Sequence, residues 1–431
     1  MIRIDKSVPV VGRYDVVVCG GGPAGFVSAV AAARMGVSVA IIERYGFFGG
    51  MATAGLVAPI TEYMHDGELI AGGIPLEFAK RLEELGGGKM CAPRGNFVFH
   101  PEIYKVVAQR MLLEEGVKLY LHSYITDCMV EEKDGERKIT HVIFDNKDGT
   151  KAIEAKCVID ATGDGDIAYK ANVPMQNYNA PLQPATLYFV LGGVDTDKIA
   201  GYYPHEKGSS IKHVKEKLAA LSKTQSIPKF GGPWCFAGVG EGTAVVNMSR
   251  TAVDWIDPDS AASGECSLRE DVLKLVALLR EHFDEFKNCF LISTATQIGI
   301  RETRHIKGVH VLTGEEYKNA VKFHDSVARC SHPIDIHSAT DHTQVCTYLD
   351  RAAYLPYRSI IADGFPNLLV PSRCFSADRE AFASARVQVG VMGLGQAAGV
   401  AAAICSRNDQ SVISVNTDDI RSILLSWGAV I

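Results

Sequence analysis

No two of the eleven cysteines in this 431-residue chain stand in a Cys-x-x-Cys pair. They are scattered singly, at 19, 91, 128, 157, 235, 266, 289, 330, 346, 374 and 405. That spacing argues against an iron–sulfur site and a thioredoxin-like dithiol, and the odd count fits free thiols in a reducing, cytoplasmic setting. Net charge is slight, −6 from 44 basic and 50 acidic residues, so the basic footprint of a nucleic-acid partner is missing. The N-terminus has no unbroken apolar core, because Arg3, Asp5, Lys6 and Arg13 interrupt it, and no signal peptide is expected. Internal repeats and low-complexity segments are absent as well. What is present, 47% hydrophobic and 22% charged residues, excludes a disordered chain, a collagen-like repeat and a coiled coil. At roughly 100–200 residues per domain, two or three structural units are expected.

One stretch has the length of a membrane span: the residues between Arg386 and Arg407 carry no charge. Gln388 and Gln396 interrupt it, and its apolarity comes mostly from Ala and Gly. It reads as a buried helix, over roughly 387–405, with small residues facing a sheet.

Tyr14–Cys19 reads as a buried parallel strand, Phe26–Met35 as an Ala-rich helix ending at Gly36, and Val37–Ile42 as a second strand. Pro101–Glu115 reads as a helix closed by Gly116. Val117–Lys156, with turns at Asp134-Gly135 and Asp148-Gly149, reads as an antiparallel meander. Cys157–Ala161 and Asn367–Pro371 return to the buried-strand pattern. Residues 175–340 differ in texture, with Pro-bounded strands and a long helix near Leu268–Phe283.

Between the first strand and the first helix, Gly20-Gly21-Gly22-Pro23-Ala24-Gly25 matches Gly-x-Gly-x-x-Gly. The first glycine permits the tight turn, the second lets backbone approach a pyrophosphate, and the third lets helix and strand pack closely. The helix N-terminus offers free N–H groups to the phosphates. Glu43, closing the second strand, stands where a carboxylate accepts ribose hydroxyls. This is a dinucleotide signature. FAD rather than NAD is favoured by the early start of the fold, by a second glycine turn at Gly49-Gly50-Met51, and by a meander followed by ATGDGD at 161–166.

Four segments resemble a known family: 16–57, 157–174 (CVIDATGDGDIAYKANVP), 298–313 (IGIRETRHIKGVHVLT) and 356–404. The chain is similar to FAD-dependent oxidoreductases of the glutathione-reductase-like, two-dinucleotide-binding flavoprotein superfamily. More narrowly, it resembles the branch related to heterodisulfide reductase flavin subunits and thiazole-synthesis proteins. The resemblance implies non-covalent FAD. It implies that Gly20, Gly22 and Gly25, with Pro23 and Ala24, hold the pyrophosphate, and that Glu43 with Arg44 holds the adenosine ribose. Gly49, Gly50 and Met51 would approach the pyrophosphate and ribityl chain, and Ile125 the adenine. Ala161 and Gly163 would close a turn beneath the cofactor. Ser372-Arg373 stands where the branch usually has Gly-Arg, and Arg386 to Gly390, at the start of the closing helix, would face the flavin pyrimidine.

Candidates for substrate chemistry are Arg301-Glu302-x-Arg304-His305 and His332-x-x-Asp335-x-His337, with Asp341 and His342 beyond. Arg301 and Arg304 could clamp a carboxylate, or tie two domains together through an internal Arg–Glu network. His337, with Asp335, could shuttle a proton, or the segment could be a surface loop. No metal site is assigned. Gly238-x-Gly240-x-Gly242 lacks the helix a second nucleotide turn would need, because TAVVNMS reads as a strand.

The expected fold is α/β: a Rossmann-like FAD-binding domain, parallel sheet plus antiparallel β-meander, from residues 1–60, 100–175 and 345–431, with an inserted α+β substrate domain from 61–99 and 176–344. The expected function is two-electron oxidation or reduction of a small organic substrate at the flavin between them. The electron donor or acceptor is unknown, and a homo-oligomer is compatible with the sequence. The alternatives are a flavin-dependent monooxygenase and an electron-relay flavoprotein subunit. No nucleic-acid or membrane partner is expected.

Overall fold

Val16, Val17, Val18 and Cys19 are wholly buried. A strand with no solvent-facing side must be covered on both faces, as parallel sheets are. These residues close the strand Val10–Cys19, the centre of a parallel sheet in the computed structural model, which describes residues 2, 5–133, 135–178, 180–200, 212–237, 240–338 and 343–431. Asp134, Gly238, Asp341 and His342, named above, lie outside the described residues.

Val10–Cys19 pairs in parallel with Val39–Ile42 on one side and Gly149–Asp160 on the other. Lys118–Tyr120 extends the sheet past Val39–Ile42. Besides Val10–Cys19, Gly149–Asp160 serves two more neighbours: residues 149–154 pair antiparallel with Glu136–Asn146, while Val158 and Ile159 pair in parallel with Leu368 and Leu369. Glu136–Asn146 pairs in turn with Tyr124–Lys133, completing the meander. The meander starts later than expected. Helix Pro101–Glu114 ends at Gly116, whose φ of +69° only glycine takes readily, and the chain first returns to the parallel sheet as Lys118–Tyr120.

The first helix, Pro23–Arg34, starts three residues before the expected Phe26. Pro23 occupies its opening turn, where a missing N–H costs nothing. The closing helix, Gln388–Asn408, lies inside the fold, almost wholly buried. Two of its glycines face the first helix: a Cβ on Gly395 would lie 2.5 Å from the Ala24 carbonyl oxygen, and one on Gly399 2.3 Å from that of Ser28. The small residues let two helix backbones touch.

A second, antiparallel sheet has the order Phe230–Ala237, Ala244–Ser249, Phe189–Gly192, Phe290–Thr294. Helix Pro258–His282 covers it with Leu268, Val272, Leu275 and Leu279. This helix begins ten residues before the expected Leu268, because Asp257 accepts the Asp259 N–H and caps a first turn that has little apolar pattern. The buried members of this core all fall between residues 185 and 300.

Residues 61–99, expected in the second unit, pack differently. Tyr63, Ile74, Phe78, Leu82 and Phe97 join the core of the first sheet. Phe78 meets Phe26 at 4.9 Å and Tyr104 at 4.5 Å between ring centroids, because helix Ile74–Glu84 lays its apolar face on the two flanking helices. Val327, Cys330 and Ile334 join the same core.

Candidate active site

A cavity of about 620 Å³ runs from the glycine turn to the second sheet. The glycines at its head do different work. Gly20, at φ +94°, would place a Cβ 2.5 Å from the Ala161 carbonyl oxygen, and Gly25 one 1.9 Å from that of Gly20. Both are required by the protein's own packing. Gly22 is not: its nearest neighbour would be the Gly50 Cα at 3.8 Å, and it faces the cavity. It is also the N-cap of Pro23–Arg34 and supplies no capping side chain, so the first-turn N–H groups are open to a ligand. Pro23 and Ala24 line the cavity beside it. Packing explains Gly20 and Gly25, whereas at Gly22 the cavity leaves open space over the turn.

The second glycine turn closes onto the first. Gly49 and Gly50 have φ of +112° and +49°, and a Cβ on Gly50 would lie 2.8 Å from the Gly22 Cα. Gly50 and Met51 line the cavity, whereas Gly49 and Gly25 stand behind its wall. Glu43 accepts the N–H groups of Gly21 and Tyr45 at 2.6 and 2.9 Å, so it shapes the turn itself. Burial pushes its pKa up, against those hydrogen bonds and Arg44. Arg44 donates to the Gln297 Oε1 at 2.6 Å. Glu43 and Arg44 also line a small adjoining cavity that reaches Ile125 on the meander.

The 161–166 segment is organised by its acids. Buried Asp160 accepts from the Thr162 N–H and hydroxyl at 3.1 and 2.7 Å and from the Ala168 N–H at 2.9 Å. Burial lifts its pKa to about 6. Asp164 holds the Arg373 guanidinium over Gly163, where a Cβ would come within 3.3 Å of Arg373. Ala161, Gly163, Ser372 and Arg373 line the cavity. Arg386, Val387, Gln388 and Val391 form the wall at the start of the closing helix. Gly390 does not join them; it turns inward, where a Cβ would lie 2.6 Å from the Ala385 carbonyl oxygen. The Nε atoms of Arg373 and Arg386 are buried without hydrogen-bond partners. An uncapped helix start, a side-chain-free Gly22 and unanswered buried guanidinium nitrogens fit a long, phosphate-bearing dinucleotide.

At the far end, the two histidine and arginine clusters separate into facing and structural members. His337 and Asp335 stand two residues apart on strand Ile334–His337, with Nε2 and Oδ2 2.9 Å apart. Both line the cavity, as does His332, so this segment is no surface loop. Burial, reinforced by Arg301, holds His337 down to about 3, and burial holds His332 down to about 4. Both imidazoles are neutral at pH 7. Asp335 is held below the ordinary carboxylate range and is ionised: burial would raise it, but the hydrogen bond from His337 and the charge of Arg386 outweigh that. Arg301 lines the cavity and donates to the Pro184 carbonyl and the Thr186 hydroxyl at 2.6 and 2.7 Å. Arg304 lies outside the wall, bound to Asp166 at 2.9 Å and stacked over Tyr169. The two arginines therefore form no clamp. Glu302 accepts the Gln183 N–H at 3.0 Å with His305 at 3.5 Å and pairs with neither arginine, so the expected Arg–Glu network is replaced by Glu302–His305 and Arg304–Asp166.

Sequence reasoning missed Glu62 and Arg94. They pair at 2.6 Å in the cavity wall, with the Ser331 hydroxyl donating to Glu62 at 3.1 Å and His332 at 3.9 Å. Burial raises Glu62 to about 7 against the pull of Arg94. The turn Pro93-Arg94-Gly95 was the one local signal available.

The model of the family described as FAD dependent oxidoreductase matches residues 15–424. Digeranylgeranylglycerophospholipid reductase 1 of Methanopyrus kandleri is 28% identical over 160 residues, 35% of this chain and 40% of that one. Dihydrolipoyl dehydrogenase of Trypanosoma brucei brucei is 50% identical over 45 residues, 10% of this chain and 9% of that one. The chain thus matches less than half the length of these curated relatives. Among solved structures, a geranylgeranyl bacteriochlorophyll reductase-like protein from Thermoplasma acidophilum aligns at TM-score 0.48 and 15% identity, covering 97% of this chain and 84% of that one. A flavoprotein/dehydrogenase from Cytophaga hutchinsonii aligns at 0.48 and 14%, covering 96% and 86%. With the family model matching nearly end to end, the chain belongs to the FAD dependent oxidoreductase family.

Proposed function

We propose that this protein performs a two-electron oxidation or reduction of a small organic substrate in the cavity that joins the glycine turn to His337 and Asp335. That continuity carries the reading: one cavity is lined at its head by Gly20, Gly22 and Ala24 and at its far end by Arg301, Asp335 and His337. Gly20, Gly22, Pro23 and Ala24 would hold the FAD pyrophosphate, and Glu43 and Arg44 the ribose. Gly50, Met51, Gly163, Arg373 and Arg386 would line the rest. When bound, FAD supplies a reversible two-electron acceptor.

The protein's own part is position and proton transfer. The Asp335 carboxylate accepts the His337 Nε2–H, which fixes the tautomer and leaves Nδ1 with a free lone pair. In an oxidation, that lone pair takes the proton of a substrate O–H or N–H as the electron pair leaves. The division into a cofactor unit and a substrate unit built around the second sheet belongs to the same reading. So does a cytoplasmic setting, supported by eleven free cysteines.

The test is the visible spectrum of purified protein, then chromatography of what denaturation releases. Flavin bands with free FAD are expected, followed by anaerobic bleaching with a matched substrate. A colourless protein that FAD cannot reconstitute overturns the reading.

A further inference from the structure

The cavity wall carries positive charge that its carboxylates do not answer. Arg94 has Glu62 and Arg373 has Asp164. Arg301 and Arg386 have neither: among the described residues, no carboxylate lies within salt-bridge distance of them. The partners of Arg301 are an uncharged carbonyl and a hydroxyl. Arg386 has a buried Nε without a partner, and the Phe382 ring 5.6 Å from its guanidinium carbon. Two acids act on them from beyond salt-bridge distance, Asp335 on both and Glu302 on Arg386, and each is hydrogen-bonded elsewhere, to His337 and to the Gln183 N–H. A buried charge without a counterion costs several kcal/mol, so Arg301, which the cofactor reading does not use, marks the place of an anion, with the Arg386 charge close enough to act on it. Tyr188 and Trp234 line the same end, and Trp234 stands edge-on to His337 with ring centroids 6.0 Å apart.

We propose that the substrate is an organic anion, its carboxylate held by the Arg301 guanidinium in the field of Arg386, and its flat apolar body lying against Trp234 and Tyr188. This rests on reading the cavity as the substrate chamber. Arg301 presents a planar fork suited to a carboxylate. The arrangement also ties binding to proton transfer. After burial, the Arg301 charge is the largest influence holding His337 down. A carboxylate on Arg301 cancels that charge and raises His337 toward its ordinary value, so the base strengthens when substrate is present.

The probe is benzoate, with benzamide as its neutral counterpart, titrated into the FAD-loaded full chain. Calorimetry reads binding whether or not flavin is present, and the flavin absorption bands read proximity to the ring. Benzoate should bind saturably, at least tenfold tighter than benzamide. Arg301→Gln should lose at least tenfold in benzoate affinity while staying yellow, and Arg301→Lys should recover part of it. Should Arg301→Gln fold poorly, Arg386→Gln should show a weaker loss in the same direction. Equal binding of benzoate and benzamide, no binding of either, or unchanged benzoate affinity in both Gln variants overturns the proposal. Flavin-free wild-type protein that still selects benzoate would sink the cavity's flavin assignment and keep the anion site.

Discussion

Asp335 and His337 meet side by side on one short strand, Oδ2 to Nε2 at 2.9 Å, although alternate residues of a strand point to the same face only if the strand keeps its pleat. Strand Ile334–His337 keeps it by pairing with Gln344–Thr347, Asp335 opposite Cys346 and His337 opposite Gln344. Gln344 adds a hydrogen bond to the Asp335 carboxylate. A two-residue spacing in sequence thus becomes an oriented acid–imidazole pair in the cavity wall.

His337→Ala should leave FAD bound and slow flavin reduction by substrate about 10²–10⁴-fold, the usual worth of a positioned base. Asp335→Asn should slow it too, because the amide no longer fixes the tautomer. Stopped-flow bleaching measures both. A rate within twofold of wild type in His337→Ala would remove this residue from the chemistry.

The neutral histidines carry a pH signature. His332 and His337 have ordinary values of 6.5 and folded values near 4 and 3. The unfolded chain therefore binds more protons than the folded one below pH 6.5, and stability falls as pH drops from there toward 3. The slope is about 1.4 kcal/mol per pH unit for each histidine. Thermal melts from pH 7 to 4 should show the fall, and His332→Asn should flatten it by roughly one histidine's share. A melting temperature that does not change over that range would contradict the burial of both rings.

Gly22 and Gly25 should fail in different ways. Gly22→Val meets open cavity, so the protein should fold with an unchanged far-ultraviolet spectrum and purify without FAD. Gly25→Val drives a side chain into the Gly20 carbonyl and should destabilise the fold itself, by about 1–3 kcal/mol or more. Urea denaturation of the two apoproteins separates the cases. A yellow Gly22→Val protein would remove the pyrophosphate from this turn.

The glycine turn was legible because its message is local: strand, three glycines, helix and acid lie within thirty residues. The meander and the closing helix were legible for the same reason, their periods being written in consecutive residues. Gly390 illustrates the limit. Proximity in sequence placed it with Arg386, but Arg386 ends the preceding helix and an extended Val387 intervenes, so no helical phase ties the two together, and Gly390 turns toward Ala385. Arg304 was misgrouped with Arg301 because nothing in that segment reveals that Asp166 draws it away. Glu62 and Arg94 carry no periodic pattern, and their meeting with Ser331 and His332 depends on contacts more than 200 residues apart.

Glu62 is the group whose ordinary range has been moved onto neutral pH. Its folded value near 7 lies above the carboxylate's usual 4.5, so the folded protein holds this proton between those values and stability declines as pH rises from 4.5 to 7. The turnover of wild type should therefore show an ionisation near pH 7, absent in Glu62→Gln. That variant keeps the shape and a partner for Arg94. Glu62→Ala instead removes the partner of the quarter-exposed Arg94 and empties a buried site, and should destabilise the protein more than Glu62→Gln does. A pH–rate profile identical in wild type and Glu62→Gln would make Glu62 an anchor for Arg94 and nothing more.

The contact between the first and closing helices couples stability to the cofactor turn. Gly395 meets the carbonyl of Ala24, a residue that itself lines the cavity, and Gly399 meets that of Ser28 one turn on. An added methyl at either place has backbone in its way, so the helices must move apart rather than a side chain swing aside. At Gly395 that movement is transmitted directly to the start of Pro23–Arg34; at Gly399 it falls a turn away. Gly395→Ala and Gly399→Ala should each destabilise the apoprotein by about 1–3 kcal/mol in urea. Only Gly395→Ala should in addition weaken FAD affinity markedly. Gly240→Ala, where no atom lies within 4 Å of the new Cβ, should stay within about 0.5 kcal/mol of wild type. Equal FAD affinity in Gly395→Ala and Gly399→Ala would mean that the glycine turn holds its shape independently of the helix behind it.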